Sequence, residues 1–192
     1  MKCYLIRHGM DDETVRGGWS KSGLVAEGKL QAKNLADYIS ENKEKLKIER
    51  LFSSDLPRAV ETAMPISEVL NLDVILKPEF RETNNGIFAG MPNDIAEEKY
   101  PGVYWRALDW DEAYPQGESP RTFYERIKTA WEEFTEMIIK DGKNTALVTH
   151  NGVINVILAL AENREYSNKM KMEKVAHATM ITLKYDGNWT RG

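Results

Sequence analysis

The chain contains 192 residues, of which 42% are hydrophobic and 29% are charged, a composition typical of a folded domain with a buried core. Its formal net charge of −4 argues against nucleic acid or an anionic membrane surface as a partner. The single cysteine, Cys3, excludes an internal disulfide and favours the reducing cytoplasm as the location. No apolar run is long enough for a signal peptide or a membrane span.

The first half of the chain alternates short apolar runs with amphipathic segments. Three apolar runs predict buried strands, and they lie at residues 3–6, 51–52 and 74–76. Helical spacing predicts a helix between the first two strands, with a buried face formed by Leu30, Leu35, Tyr38 and Ile39.

A second helix is predicted to follow the strand at residues 51–52. Pro57 suits its first turn, where the missing backbone N–H costs nothing. Ser54 or Asp55 is expected to cap this helix, and Pro65 is expected to kink it.

Residues 91–120 differ from the rest of the chain. They are rich in Pro, Gly, Trp and Tyr and lack a steady period, so they predict an inserted cap of loops with one short helix. We expect the aromatic residues of this cap to form a local core. The alternative is a lid whose rings stack on the organic part of a substrate.

The second half begins with a long amphipathic helix, whose buried face is predicted to carry Phe123, Ile127, Trp131, Phe134 and Ile138. A strand at 145–149, a helix at 153–161 and a strand at 179–185 follow. This alternation predicts an α/β fold, namely a three-layer α/β/α sandwich with a mainly parallel sheet and an antiparallel edge strand. We expect a single domain over residues 1–192.

Polar residues follow several of the predicted strands. His8, the segment 53–58 and His150 each come directly after a strand. The carboxyl ends of parallel strands meet at one edge of a sheet, where ligands bind in such folds. A histidine after a strand is more often structural than catalytic, but two of them, each with a glycine close behind, indicate a site.

These residues belong to a series of motifs that resembles the histidine phosphatase superfamily, which includes phosphoglycerate mutases and many small phosphatases. The resemblance covers nearly the whole chain, and its most specific motif runs from Ser53 to Ala63. The other motifs lie at residues 5–9, 23–32, 81–90, 115–119 and 148–154.

The resemblance implies a role for each of five residues. His8 is expected to carry the phosphoryl group, Arg7, Arg58 and His150 to bind its oxygens, and Glu82 to act as general acid and base. A neutral imidazole is a good nucleophile, and guanidinium groups match phosphate oxygens. Because three cations would take the place of magnesium, we expect neither a metal nor a cofactor.

Three further residues are expected to contact phosphate or substrate, each with a plain structural alternative. Asn151 follows His150 directly, Thr14 is the nearest candidate for a phosphate-binding loop residue, and Arg16 could reach a distal group of the substrate. Met10 and His177 depart from the family pattern, and structural hydrogen bonding is the expected role of His177.

The predicted activity is hydrolysis of a small phosphorylated metabolite by a histidine acid phosphatase type of phosphomonoesterase. Family mutases carry Arg and Tyr where this chain has Thr83 and Asn85, and the cap offers only Arg106 and Arg121 as basic residues. A phosphoglycerate-type mutase remains an alternative. So does a catalytically weak member that binds phosphorylated ligands or proteins. A monomer and a homodimer are both compatible with the sequence.

Overall fold

Side chains of the first strand alternate between two hydrophobic cores. In the computed structural model, which describes residues 1–192, strand β1 (Lys2–Arg7) directs Cys3 and Leu5 into one core and Tyr4 and Ile6 into the other. Successive side chains of a strand point to opposite faces, and all four are buried. The strand therefore lies in a middle layer that is covered on both sides.

The sheet contains six strands in the order β3-β2-β4-β1-β5-β6. The five strands after β1 are β2 (Arg50–Ser53), β3 (Val74–Leu76), β4 (Thr145–Thr149), β5 (Met180–Tyr185) and β6 (Trp189–Arg191). Strands β1 to β4 are mutually parallel, whereas β5 pairs with β1, and β6 with β5, in the antiparallel direction.

Helices cover both faces of this sheet, so the predicted three-layer sandwich is confirmed. One face carries α1 (Ala26–Glu41) and α3 (Pro57–Leu70), and the other carries α5 (Pro120–Asp141) and α6 (Asn151–Ala161). The connections contain the short helices α2 (Lys43–Leu46) and α4 (Asn93–Lys99) and two 3₁₀ turns, Pro78–Phe80 and Gly86–Phe88. None of the helices is both long and apolar enough to cross a bilayer.

Helix α5 has the buried face that its periodicity predicts, since all five of the predicted apolar side chains lie in the core. Its start is fixed by a capping box: the Ser119 hydroxyl accepts from the backbone N–H of Thr122, and the Thr122 hydroxyl accepts from that of Ser119. Its end is a left-handed Gly142.

The prediction for the buried face of α1 is partly wrong. Leu35 and Ile39 are buried, but Leu30 is 52% and Tyr38 46% exposed. The small residues Gly28, Ala32 and Ala36 occupy the inner face instead. A Cβ atom on Gly28 would lie 2.0 Å from the Met10 carbonyl oxygen, so close backbone approach, rather than large apolar side chains, defines this contact.

The predicted side-chain cap of α3 is also wrong. The N-cap is Leu56, and no side chain caps the helix. The Ser54 hydroxyl contacts His150, and the Asp55 carboxylate accepts from Arg81. Both side chains that were expected to cap the helix therefore bind residues far away in the chain instead. Helix α3 continues through Pro65 to Leu70.

The last strand, β6, was not predicted. The expected antiparallel edge strand is β5, but it lies inside the sheet because the chain turns at Gly187 and adds β6 outside it. With only three residues, β6 is too short to show a period. Between residues 91 and 120, one helix and a series of turns surround a small apolar cluster of Phe88, Ala96, Leu108 and Tyr114.

Loss of the capping box should measurably destabilise the protein. We expect Ser119→Ala to lower the free energy of unfolding by about 1 kcal/mol, because the backbone N–H of Thr122 at the start of α5 loses its acceptor. Urea denaturation measures this change. Ser40→Ala, the same substitution at an exposed site in α1, is the control and should have almost no effect. Equal effects of the two substitutions would contradict the capping assignment.

Candidate active site

Two histidines lie where the sheet changes its direction of winding. Strands β1 and β4 are neighbours, but β1 leads to α1 on one face of the sheet and β4 leads to α6 on the other. This arrangement opens a crevice beyond the carboxyl ends of the two strands. His8 follows β1 and His150 follows β4, and their ring centroids lie 5.1 Å apart.

The hydrogen bonds of His8 define which ring nitrogen carries the proton. Its Nδ1 lies 2.7 Å from the Gly9 carbonyl oxygen, which can only accept, so Nδ1 is protonated. Its Nε2 accepts from Nε of Arg58 at 3.3 Å and therefore has the lone pair. The side chain is buried, and the nitrogen with the lone pair contacts Arg58.

Backbone contacts fix the turn after β1. The N–H of Gly9 donates to the Thr62 hydroxyl at 2.9 Å, and the N–H of Met10 donates to the Gln31 side chain at 2.9 Å. The Met10 carbonyl accepts from the N–H of Val25 at 3.1 Å. Met10 thus supports the turn through its backbone N–H and carbonyl groups. The turn therefore does not depend on the side chain, which differs here from the family pattern.

Arg58 is almost completely buried at the start of α3 and reaches His8 from the side. Its Nη2 donates to the Gly18 carbonyl at 2.7 Å, and its Nη1 donates to the Ser20 hydroxyl at 3.3 Å. Its Nε also lies 3.3 Å from Oδ2 of Asp11, a carboxylate that the sequence did not single out. Asp11 belongs to the site through this long-range contact, for which periodicity gives no signal.

Arg7 lies on the opposite side of His8 and is held by the segment before β5. Its Nη1 donates to the Val175 carbonyl, and its Nη2 donates to Nε2 of His177 at 2.7 Å. The expected structural hydrogen bonding of His177 is thus present, and its partner is a site residue. The Nε of Arg7 is buried without a hydrogen-bond partner.

His150 is fully buried beside His8. Its Nε2 lies 2.9 Å from the Ser54 hydroxyl, and its Nδ1 is buried without a partner. Buried polar atoms of folded proteins are nearly always hydrogen-bonded. The orphaned nitrogens of Arg7 and His150 therefore indicate a site for a polar ligand, and Nε of Arg7, which can only donate, requires an acceptor atom on it.

The surroundings keep the site histidines uncharged. Burial lowers the pKa of His8 well below 6.5, and the positive charge of Arg58 lowers it further. Burial likewise lowers the pKa of His150 well below 6.5, again with Arg58 as the next cause. Both rings are therefore neutral at pH 7 in the unliganded protein.

Glu82 lies across the crevice in the turn before the cap. Its carboxylate accepts from the backbone N–H of Gly152 at 3.1 Å, at the start of α6, and from that of Thr83 at 3.2 Å. Arg126 in α5 fixes this turn by donating to the Glu82 carbonyl at 3.1 Å, while Glu118 accepts from the same guanidinium at 2.7 and 2.9 Å. Sequence reasoning did not identify this support, since its residues are far apart in the chain.

A cavity of about 270 Å³ lies between Glu82, the start of α6 and the cap, and neither His8 nor His150 is among its lining residues. Arg16 and Asn151 line it, although Oδ1 of Asn151 accepts from the backbone N–H of Val175 and Arg16 pairs with Glu97. Thr14 does not line it, because it is exposed and its hydroxyl donates to Asp12. The remaining lining residues are Gly17, Gly18, Glu82, Thr83, Asn85, Trp105, Tyr114, Gly152 and Met172.

One group of side chains in the crevice has the spacing of metal ligands. Ligand atoms of His8, Asp11 and His177 all lie within 4.8 Å of one another. However, Nε2 of each histidine already accepts from a guanidinium, Arg58 or Arg7. The positive charges of these two guanidinium groups, in direct contact with the histidines, oppose binding of a divalent cation and favour an anion.

Comparison with known proteins gives consistent matches along the chain. The sequence profile of the histidine phosphatase superfamily (branch 1) matches residues 3–191. The probable phosphoglycerate mutase GpmB of Escherichia fergusonii is 31% identical over 166 residues, which is 83% of this chain and 74% of that protein. Phosphoserine phosphatase 1 of Hydrogenobacter thermophilus is 33% identical over 138 residues, 69% of this chain and 64% of that protein.

A solved structure shows the same fold. The alpha-ribazole phosphatase of Shigella flexneri superposes with a TM-score of 0.84 at 23% identity, covering 100% of this chain and 95% of that one. At this identity the likeness concerns the fold alone.

Burial of neutral histidines makes the stability of the protein depend on pH. The folded-state pKa values of His8 and His150 lie below the unfolded value of about 6.5, so the unfolded chain binds more protons below that pH. The free energy of unfolding should therefore fall as the pH is lowered below about 6.5, by up to about 1.4 kcal/mol per pH unit for each histidine.

Urea denaturation between pH 7.5 and 5.5, in buffer free of phosphate, measures this dependence. The variant His8→Asn should lose the contribution of one histidine and show a shallower slope. If wild type and variant had the same slope, His8 would not be held neutral by the fold.

Proposed function

The chain belongs to the histidine phosphatase superfamily, whose members are phosphatases and phosphomutases, and on this premise we propose that it hydrolyses a small phosphomonoester through a phosphohistidine intermediate on His8. Two buried nitrogens without partners, Nε of Arg7 and Nδ1 of His150, support the proposal most directly. Both belong to side chains beside the lone pair of His8, and a phosphoryl group carries the acceptor oxygens that they lack.

In the proposed first step, Nε2 of His8 attacks phosphorus in line with the leaving oxygen. The N–P bond forms as the P–O bond to the substrate breaks, and Glu82 donates a proton to the leaving oxygen. The Nδ1–H of His8 keeps its hydrogen bond to the Gly9 carbonyl, which stabilises the positive charge that develops on the ring.

In the second step, water attacks the phosphoryl group. Glu82, now a carboxylate, accepts a proton from this water, the N–P bond breaks, and His8 leaves as a neutral imidazole with its lone pair restored. The products are an alcohol, released after the first step, and inorganic phosphate. Each step transfers the phosphoryl group once, so one side chain serves as nucleophile and then as leaving group.

Electrostatic stabilisation comes from the chain itself. Arg7 and Arg58 keep their charge at all relevant pH values and provide N–H groups for the phosphoryl oxygens. His150 is neutral in the unliganded protein, but a bound phosphate would raise its pKa and favour the imidazolium form. With these three groups around the phosphoryl oxygens, the proposed reaction needs no metal.

The lining of the cavity favours hydrolysis over a phosphoglycerate-type mutase reaction. Thr83 and Asn85 line it, while the cap arginines turn elsewhere: Arg106 donates to the Met170 carbonyl and Arg121 pairs with Asp111. Arg16 is the only basic residue in the lining. A second anionic group on the substrate would thus meet one cation that is already paired.

The apolar part of the lining suits an uncharged organic group. Trp105, Tyr114 and Met172 are its three hydrophobic residues. Trp105 and Tyr114 are stacked with their ring planes 21° apart, and both belong to the cap side of the cavity. We therefore propose that the substrate carries a single phosphate on a small organic group.

Replacement of His8 tests the proposed mechanism. His8→Asn keeps a polar side chain of similar size but cannot be phosphorylated at a ring nitrogen, so turnover of a phosphomonoester panel should fall at least a hundredfold. After rapid mixing with a ³²P-labelled substrate and an alkaline quench, wild type should carry an acid-labile label and the variant none. Undiminished turnover in a variant with an unchanged melting temperature would contradict the mechanism.

The same reactions distinguish hydrolysis from transfer. Wild type should release inorganic phosphate in equal amount to the alcohol, even when 3-phosphoglycerate is present as an acceptor. Accumulation of a bisphosphorylated or isomerised product would favour the mutase alternative.

Replacement of Glu82 tests the proton transfer. We expect Glu82→Gln to lower kcat by about 10²–10⁴ for alkyl phosphates, because the amide cannot protonate the leaving oxygen. The loss should be much smaller for p-nitrophenyl phosphate, whose leaving group needs no proton. Glu79→Gln, an exposed carboxylate in the same turn, is the matched control and should leave kcat unchanged. Equal losses on both substrate types would contradict the role of Glu82.

A further inference from the structure

Asp11 places a carboxylate beside the nucleophile in the unliganded protein. Its backbone is fixed by a bridge to Leu24, and its side chain is only 14% exposed. Its Oδ2 lies 3.3 Å from Nε of Arg58, and one of its oxygens lies within 4.8 Å of a ring nitrogen of His8. The reaction proposed above assigns no role to this group.

The contact matters because a single nitrogen of Arg58 faces both the nucleophile and Asp11. Its Nη1 and Nη2 donate to Ser20 and Gly18. Its Nε lies 3.3 Å from both Nε2 of His8 and Oδ2 of Asp11. A phosphoryl group at Nε2 of His8 would lie next to the same Nε–H, so it competes with the Asp11 carboxylate for it.

We propose, resting on the function above, that Asp11 is a specificity-determining residue that weakens binding of free oxyanions to the phosphate site. Phosphate must displace the carboxylate from Arg58 and remain close to its negative charge. Inorganic phosphate is affected most, because it has no organic group whose contacts with the cavity could offset the loss. Asp11 thereby promotes product release and disfavours ligands that bind by charge alone.

The charges around the nucleophile agree with this role. Arg7 and Arg58 contribute two positive charges, Asp11 contributes a carboxylate beside them, and His8, His150 and His177 have lowered pKa values through burial. Asp11 therefore offsets part of the positive charge of the unliganded site. Without Asp11 the site would be more positive and would retain phosphate more tightly.

A purely structural role for Asp11 predicts the opposite behaviour. If the carboxylate were needed to orient Arg58, its removal would weaken phosphate binding. However, the Gly18 carbonyl and the Ser20 hydroxyl already fix both ends of the guanidinium. The backbone bridge between Asp11 and Leu24 does not depend on the side chain.

The binding of inorganic phosphate, measured directly by calorimetry at pH 7.5, tests this inference. Asp11→Asn should bind phosphate about tenfold more tightly than wild type, with a matching fall in the inhibition constant for phosphate and a smaller fall in KM for phosphomonoesters. Asp11→Ala, which removes the carboxylate without adding an amide, should change binding in the same direction. Asp12→Asn, the same substitution at a neighbour whose carboxylate accepts from Thr14, should bind phosphate as wild type does.

Unchanged or weaker phosphate binding in folded Asp11→Asn and Asp11→Ala would overturn the inference. An equal gain in Asp12→Asn would also overturn it, because the effect would then come from net charge alone. The proposed function fails by a different result, namely the absence of phosphomonoesterase turnover in wild type. Phosphate binding is measured without turnover, so the two failures can be told apart.

Discussion

The rest of the site depends on a buried imidazole that stays neutral next to two guanidinium groups. Burial and the charge of Arg58 both act against a proton on Nε2 of His8, and the Gly9 carbonyl holds the other proton on Nδ1. A charged imidazole has no lone pair and could not attack phosphorus. In the proposed reaction, the same cations that lower the pKa of His8 would attract the phosphoryl oxygens, so one arrangement would keep the attacking nitrogen unprotonated and bind the group that it attacks.

Maintaining this arrangement requires that both arginines stay in place without a ligand. Arg7 is held by the segment before β5, and Arg58 is held by carbonyl and hydroxyl oxygens of the loop after β1. These acceptors hold the terminal nitrogens of both guanidinium groups, while Nε of Arg58 contacts His8. Asp11 places a negative charge beside the same nitrogen, and in our proposal the competition between this carboxylate and phosphate determines how firmly anions are held.

The sequence by itself determined the layers of the fold and the position of the site. Local patterns predicted strand β1, from an apolar run that includes Tyr4 and Leu5, and the buried face of α5, from helical spacing. Such patterns follow from backbone geometry alone. His8 and His150 were placed at one sheet edge because parallel strands have their carboxyl ends in common. The resemblance to a family then identified the arginine of α3 and the acid across the crevice.

Only the tertiary structure decided which side chains meet across long distances in the chain. The contacts of Asp11 with Arg58, of His177 with Arg7, and of Ser54 with His150 join separate elements, and no local pattern encodes them. The inner face of α1 was misjudged for the same reason. The backbone of α1 approaches the turn after β1 so closely that only small residues fit on this face. Hydrophobic periodicity identifies a buried face by its large apolar residues and therefore misses such a contact. Local spacing thus determines the elements, but their packing determines the charges that surround the nucleophile.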